Sequence, residues 1–345
     1  QLITVLSSLN LLNDILDFEV VIQDNSQSRL GEEHLKGYDF MISYHHHTQS
    51  IPISDNIQHG IENSSGEYLL IIGDDDFVHR DIVKWVRILK KSGLDCMSYS
   101  PSRYWWPDIG GSIGGTYIEK LSYTWQISFV ESLNELTAYE KAGATEIRGL
   151  PRGYHGVVKK SLYRFIKEKF GNYILGSSPD IAIAVTIALL CDRFLYVDGP
   201  LTVYGACYKS GGGMTARKQH FMKPDDATFL RRETIDNWCA ELPYIWSERT
   251  IYPQTYYEVI SKFNLHRFFD KERFWASFFI LENNVARDYI LDVFLKMPFH
   301  CKLKFIYFSL RRLTGKVLKK YRFFVAEDTR IVKAEPAKLH DHIAK

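Results

Sequence analysis

The stretch Glu67-Tyr68-Leu69-Leu70-Ile71-Ile72-Gly73-Asp74-Asp75-Asp76 decides how the fold is read. A continuous apolar run bounded by charge reads as a strand buried on both faces, the position strands take in parallel sheets. Three adjacent acids at its end repel one another and are costly beside a buried strand unless a cation neutralises them. The competing reading is a solvated turn in which one Asp caps the following helix.

Working outward, Phe18 to Ile22 reads as a buried strand that stops at the turn formers Gln23-Asp24-Asn25-Ser26. Tyr38 to Tyr44 reads as a second strand, followed by a polar loop with His45, His46 and His47. Ser54 is placed to cap a helix running to Ser64. Downstream of the triplet, Ile82, Trp85, Ile88 and Leu89 share one side of a helix from about Arg80 to Lys91, with Gly93 just past its end. Strand, helix, strand, helix, strand predicts an α/β fold with a mostly parallel sheet and helices on both faces. In such a sheet ligands bind outside the carboxyl ends of the strands, which is where Asp24 and the Asp74 to Asp76 triplet fall.

Further out, Leu2, Val5, Leu6, Leu9 and Leu12 recur at helical spacing, so the sequence opens inside an amphipathic helix. Tyr99 to Tyr123 reads as loop with short strands, Ser161 to Phe170 and Ile181 to Cys191 as helices. From about Phe221 the pattern turns helical and aromatic, which sets an expected boundary near residues 220 to 228 between residues 1–220 and a helical region 221–345.

With 345 residues the chain is long enough for about two domains. It is 46% hydrophobic and 24% charged, which excludes a disordered, collagen-like or coiled-coil chain. A net charge of +2 gives no argument for a nucleic-acid partner. The five cysteines form no C-x-x-C pair, so neither a disulfide framework nor a zinc site is expected. The apolar run Ile181 to Cys191 is too short to span a bilayer, and the expected setting is cytoplasmic.

Glu19 to Ser26, Asn56 to Asp76 and an acid near 180 together resemble the family 2 glycosyltransferases of the GT-A fold. The resemblance covers about residues 1 to 215. It implies that Asp24 contacts a nucleoside, that Asp74, Asp75 and Asp76 hold a magnesium or manganese ion with the diphosphate of a nucleoside diphosphate sugar, and that Asp180 is the catalytic base. Asn56 matches a family Asn near the donor site and also reads as a helix-start residue. The implied acceptor is a glycan or lipid-linked glycan hydroxyl.

The sequence departs from the family pattern in three places. The opening strand of the family is absent, so either the chain is truncated or that strand has been lost. Gly73 stands in the first acidic position of the D-x-D-D form. Asp180 follows Ser177-Ser178-Pro179 instead of a Glu, a sequence that also reads as an ordinary helix opening with Ser178 as cap and Pro179 in the first turn.

Val203 to Gly213 resembles the family's flexible phosphate loop, with Gly205 and Cys207 replacing its Arg and His. That leaves Lys209, Arg217 and Lys218 to approach the diphosphate. Tyr104, Trp105 and Trp106 read either as an acceptor platform or as core. Adjacent histidines in an extended segment point to opposite sides, so His45 to His47 read as loop rather than metal ligands. From Lys302 to Phe324 eight Lys and Arg occur without an acid, and Ile306, Leu310, Leu313 and Val317 share a face. That pattern reads as a basic amphipathic helix lying on an anionic membrane, or as one packed on its own domain. A non-catalytic binding protein of a glycan assembly complex remains the alternative to an enzyme. A nucleotidyltransferase would need a Gly-rich phosphate loop near its start, and none is visible.

Overall fold

A computed structural model describes residues 1–120, 123–217, 221–281, 284–325 and 329–339. Helix α1 (Leu2–Leu9) buries Val5, Leu6 and Leu9, as its spacing predicts. Strands β1 (Glu19–Asp24) and β2 (Met41–His46) pair in parallel, with Asp24 opposite His46. The second strand thus runs two residues further than the sequence suggested and takes in His45 and His46. Helix α2 (Ile53–Asn63) leads to β3 (Tyr68–Leu70), after which the chain turns through the aspartates into β4 (Phe77–Val78) and α3 (Ile82–Ser92). Gly93 ends α3 at φ 74°, the left-handed conformation that a C-terminal glycine supplies without strain.

Next come β5 (Cys96–Tyr99), β6 (Ser102–Trp105), β7 (Thr116–Lys120) and β8 (Ile127–Glu131), then α4 (Ser132–Lys141), β9 (Val157–Lys159), α5 (Lys160–Phe170) and α6 (Pro179–Leu190). Strands β10 (Arg193–Val197) and β11 (Thr202–Ala206) and the short α7 (Gly211–Ala216) complete the first part of the chain. The rest holds β12 (Phe221–Met222), α8 (Arg232–Asp236), β13 (Trp246–Ser247), α9 (Glu248–Lys262), α10 (Lys271–Leu281), α11 (Asn284–Lys296), α12 (Phe299–Val325) and β14 (Thr329–Lys333).

The expected α/β class holds, but the sheets are mixed and not mostly parallel. One five-stranded sheet has the order β3-β9-β5-β10-β8 and another β14-β7-β6-β11-β4. Within them β5·β10 and β6·β11 are parallel, whereas β9 runs antiparallel to both β3 and β5. The difference arises because Val157–Lys159, a strand too short to show periodicity, inserts between β3 and β5. The ribbon β1·β2 is not hydrogen-bonded to either sheet among the described residues.

Helix α6 has no polar face because it is enclosed: Ile181, Ala182, Ile183, Ala184, Val185, Ile187 and Ala188 are each at most 2% exposed. Around it gather Leu136 and Tyr139 of α4, Tyr256 and Val259 of α9, and Phe274 and Phe278 of α10 in one core.

The region after residue 221 is helical, as expected, and it packs against the first part of the chain. Helix α9 packs on α6, and β14 returns to pair antiparallel with β7. Leu339 is buried with Val5, Phe77, Tyr104 and Trp106.

Candidate active site

The turn after β3 carries the aspartate triplet, and each acid meets a different environment. Asp76 is 1% exposed. One of its oxygens accepts from the Gly205 amide at 2.6 Å, and the other accepts from the Gly73 amide at 2.6 Å and the Tyr154 hydroxyl at 3.5 Å. The His155 ring stands 3.1 Å from that second oxygen, and Thr202 holds the opposite ring nitrogen at 2.8 Å. Asp76 therefore spends its carboxylate on the protein itself and latches the turn to β11. Of the three acids expected to hold an ion, it is the one with both oxygens bonded to protein donors.

Asp75 is 5% exposed, and one of its oxygens accepts from the Cys207 amide at 3.0 Å. Burial first, then the charges of Asp76 and Asp74, push its pKa up to about 7. Asp74 is exposed, and its pKa is raised as well, mainly by desolvation, with Asp76 and Asp24 adding to it. No Lys or Arg among the described residues pairs with either carboxylate, and the charge of the amino terminus offsets only part of the rise at Asp74, which leaves a deficit of positive charge. An ion with open positions, held by Asp74 and Asp75, fits that deficit. No group of three or more His, Cys, Asp or Glu converges on a metal position among the described residues. An ion here would complete its shell with substrate oxygens or water.

Gly205 explains why this chain departs from the family loop. A Cβ at that position would overlap the Asp75 carbonyl, because β11 passes directly against the turn. The indole of Trp106 donates to the same carbonyl at 2.8 Å. Trp106 and Tyr104 are buried, Tyr104 donating to the Ala334 carbonyl, so both form the floor beneath the acids and not an acceptor platform. Trp105 is only half-buried, with Arg103 over its ring.

Asp24 ends β1 and accepts from the Tyr44 hydroxyl at 2.5 Å and the Ser26 amide at 2.8 Å. Burial raises its pKa, but the hydroxyls of Ser26 and Tyr44 outweigh this and hold it below the usual carboxylate value. Its charge contributes to the raised pKa of Asp74. Asn56 donates to the Gln23 carbonyl at 3.2 Å, leaving its own carbonyl oxygen buried without a partner. The three histidines bond separately, to Ser43, Ser26 and Gln23.

Asp180 sits in the first turn of α6 with Pro179 before it, as the sequence indicates. The Ser178 hydroxyl does not cap the helix but donates to Asp180, which also accepts from the Ile181 amide at 2.9 Å and the Tyr252 hydroxyl at 3.0 Å. Ser54, expected to cap α2, instead donates to the carbonyls of Gly176 and Ser177 and ties α2 to the segment before Asp180. The charges of Asp75, Asp76 and Asp180 all raise the pKa of the buried tyrosines Tyr154 and Tyr204, after desolvation, so Asp180 and the triplet lie on the same side of the fold as this tyrosine pair.

Lys209 is exposed in the loop after β11. Arg217 stacks on Tyr208 at 3.6 Å and donates to the Tyr208 carbonyl. Lys218 lies outside the described residues. Sequence reasoning missed Tyr154, His155 and Tyr252. The local signal for the first two is the pair of glycines in Arg152-Gly153-Tyr154-His155-Gly156, since a Cβ at Gly153 would strike Ile183.

Residues 2–126 match the family model of glycosyl transferase family 2. Among solved structures, residues 1–349 of S. aureus TarS in complex with UDP-GlcNAc align with a TM-score of 0.49 and 13% identity, covering 89% of this chain and 75% of that one. The same fragment in complex with UDP aligns with a TM-score of 0.45 and 11% identity, covering 86% and 71%. No curated protein matches the chain significantly.

Proposed function

We propose that the protein transfers a sugar from a nucleoside diphosphate donor to an acceptor hydroxyl with inversion at the anomeric carbon. What supports this reading is that Asp24, Asp74, Asp75 and Asp180, drawn from three distant stretches, act electrostatically on one another or on the same tyrosines, Tyr154 and Tyr204. Asp24 takes the nucleoside. Asp74 and Asp75 hold a magnesium or manganese ion, which when bound neutralises the charge that develops on the diphosphate. Lys209 approaches the same diphosphate from the loop after β11.

Asp180 accepts the proton of the acceptor hydroxyl. That oxygen forms a bond to the anomeric carbon as the bond from carbon to the diphosphate oxygen breaks, its electron pair leaving with the diphosphate. One displacement inverts the centre. Tyr252 and Ser178 fix the carboxylate by hydrogen bonds. The test is nucleoside diphosphate release across a panel of sugar nucleotides with manganese. Asp180→Asn should lower turnover by about a thousandfold while donor binding persists. Turnover unchanged in both Asp180→Asn and Asp75→Ala would remove the assignment.

A second element bears on the acceptor. In α12, Phe299, Leu303, Ile306, Leu310 and Leu313 recur at intervals of four and three residues and are 43% to 75% exposed. The opposite side faces the body, where Phe305 and Phe308 join the core and Arg312 pairs with Glu146. The outward face is thus the apolar one, flanked by Lys302, Lys304 and Arg311, and no acid occurs between Phe299 and Val325. Like charges on both flanks oppose self-association and match an anionic bilayer, on which this stripe docks. No helix among the described residues is long and apolar enough to cross a membrane. Docking at the surface places the crevice where lipid-linked acceptors occur.

A further inference from the structure

Helix α9 grips the segment that carries Asp180 through Tyr252, Thr255 and Glu258, whose spacing puts them on one side of the helix. The Tyr252 hydroxyl donates to the Asp180 carboxylate at 3.0 Å, and the Thr255 hydroxyl accepts from the Ser178 amide at 3.0 Å. The Glu258 carboxylate accepts from the Ser177 amide at 2.8 Å and from the Ser177 hydroxyl at 3.1 Å. A Cβ on Gly176 would overlap Thr255 and Glu258, so the backbone there lies directly on the helix. From α2, Ser54 donates to the carbonyls of Gly176 and Ser177.

Pro179 contributes no amide, so those of Ser177 and Ser178 are the backbone donors just ahead of Asp180, and α9 takes both. Thr255 is fully buried, and Gln254 steadies Glu258 with a hydrogen bond of 3.2 Å. A cavity of about 330 Å³ opens beside Gly176 and Glu258. The segment therefore has room to shift on that side, and hydrogen bonds to α9 hold it where close packing does not.

We infer that α9 sets the position of the Asp180 carboxylate, with Thr255 and Glu258 as positioning residues for sugar transfer. The inference rests on the reading of Asp180 as the base. A carboxylate that takes a proton from a hydroxyl must stand within hydrogen-bond reach of it, and a misplacement of about 1 Å can cost on the order of a hundredfold in rate. Tyr252 fixes one oxygen of the carboxylate, whereas Thr255 and Glu258 fix the backbone from which the side chain extends. Their loss should fall on turnover and not on donor binding.

The test measures kcat and donor KM for nucleoside diphosphate release, using the sugar nucleotide that the wild type turns over fastest, with manganese present. Thr255→Val keeps the shape and removes the hydroxyl. It should lower kcat by about ten- to hundredfold with KM within about twofold, and Thr255→Ser should keep most of the rate because it keeps the acceptor. In an Asp180→Asn background Thr255→Val should lower kcat no further, since no base is left to position. A merely structural role would lower kcat equally in both backgrounds. That result, or a wild-type kcat in Thr255→Val, would overturn the inference. Should Thr255→Val not fold, Glu258→Gln, which keeps the length of the side chain and one acceptor oxygen, is read in the same way. Wild-type turnover in Asp180→Asn removes the base reading and the positioning role together. A slow Asp180→Asn beside α9 variants of undiminished rate removes the positioning role alone.

Discussion

Replacing Asp76 by alanine tests whether this acid is a latch or a ligand. The side chain is 1% exposed and accepts from two backbone amides, Gly205 and Gly73, with Tyr154 and His155 closing around it. Truncation leaves both amides without an acceptor and strands the His155 ring against a void. Each buried amide left unpaired costs about 1–3 kcal/mol. Loss of one partner of a buried polar network typically costs about 3–5 kcal/mol. The two estimates agree on a loss of about 3–5 kcal/mol for Asp76→Ala. Asp76→Asn should cost about half as much, since its carbonyl satisfies one amide while its NH2 faces the other.

Urea unfolding followed by far-ultraviolet dichroism gives the midpoint, and the midpoint difference multiplied by the slope gives the loss. A change below about 1 kcal/mol would refute the latch. Manganese titration of the same variant separates the roles: a ligand would lose ion binding with little change in stability, the reverse of what the hydrogen bonds require.

The metal-free protein should carry a pH signature from Asp75. Its pKa is raised from the ordinary value near 3.8 to about 7, so the native state holds a proton that the unfolded state has released between those values. Stability from this group is full below the lower value and falls as pH rises towards 7. The melting-temperature gap between Asp75→Asn and wild type should therefore widen in favour of the variant from pH 4 to 7 and flatten above, and manganese should narrow it at pH 8. A gap independent of pH would contradict the raised value. For α12, Leu303→Glu with Leu310→Glu should abolish co-sedimentation with phosphatidylglycerol vesicles while leaving the melting temperature within a degree or two, because both side chains are more than half exposed. Binding that survives the double substitution, or equal binding to neutral vesicles, would exclude the proposed surface.

The elements that carry the acids were legible because their signals are local. The apolar run ending at Ile72, the turn formers after β1 and the Ser-Pro-Asp opening of α6 each announce themselves within a few residues. What was not legible depends on pairs far apart in the chain. Asp74, Asp75 and Asp76 look equivalent in sequence, and only the amides of Gly205 and Cys207, about 130 positions away, divide them into one exposed acid, one half-engaged and one fully engaged. Ser54 and Ser178 carry the signature of helix caps, yet tertiary partners, two carbonyls and one carboxylate, outcompete the local amides. Tyr104 and Trp106 read equally well as platform or core, since aromatic composition does not distinguish a ring facing a sugar from one facing Phe77.

The strand at Thr329–Lys333 and the leucine six residues beyond it have an implication for how the molecule comes into being. Leu339 and Val5 share a cluster with Trp106, whose indole holds the Asp75 carbonyl. Contacts spanning nearly the entire polypeptide close last, because the loop between them must form first. During synthesis the cluster beneath Trp106 therefore stays incomplete until residue 339 has left the ribosome, more than two hundred residues after the acidic turn itself.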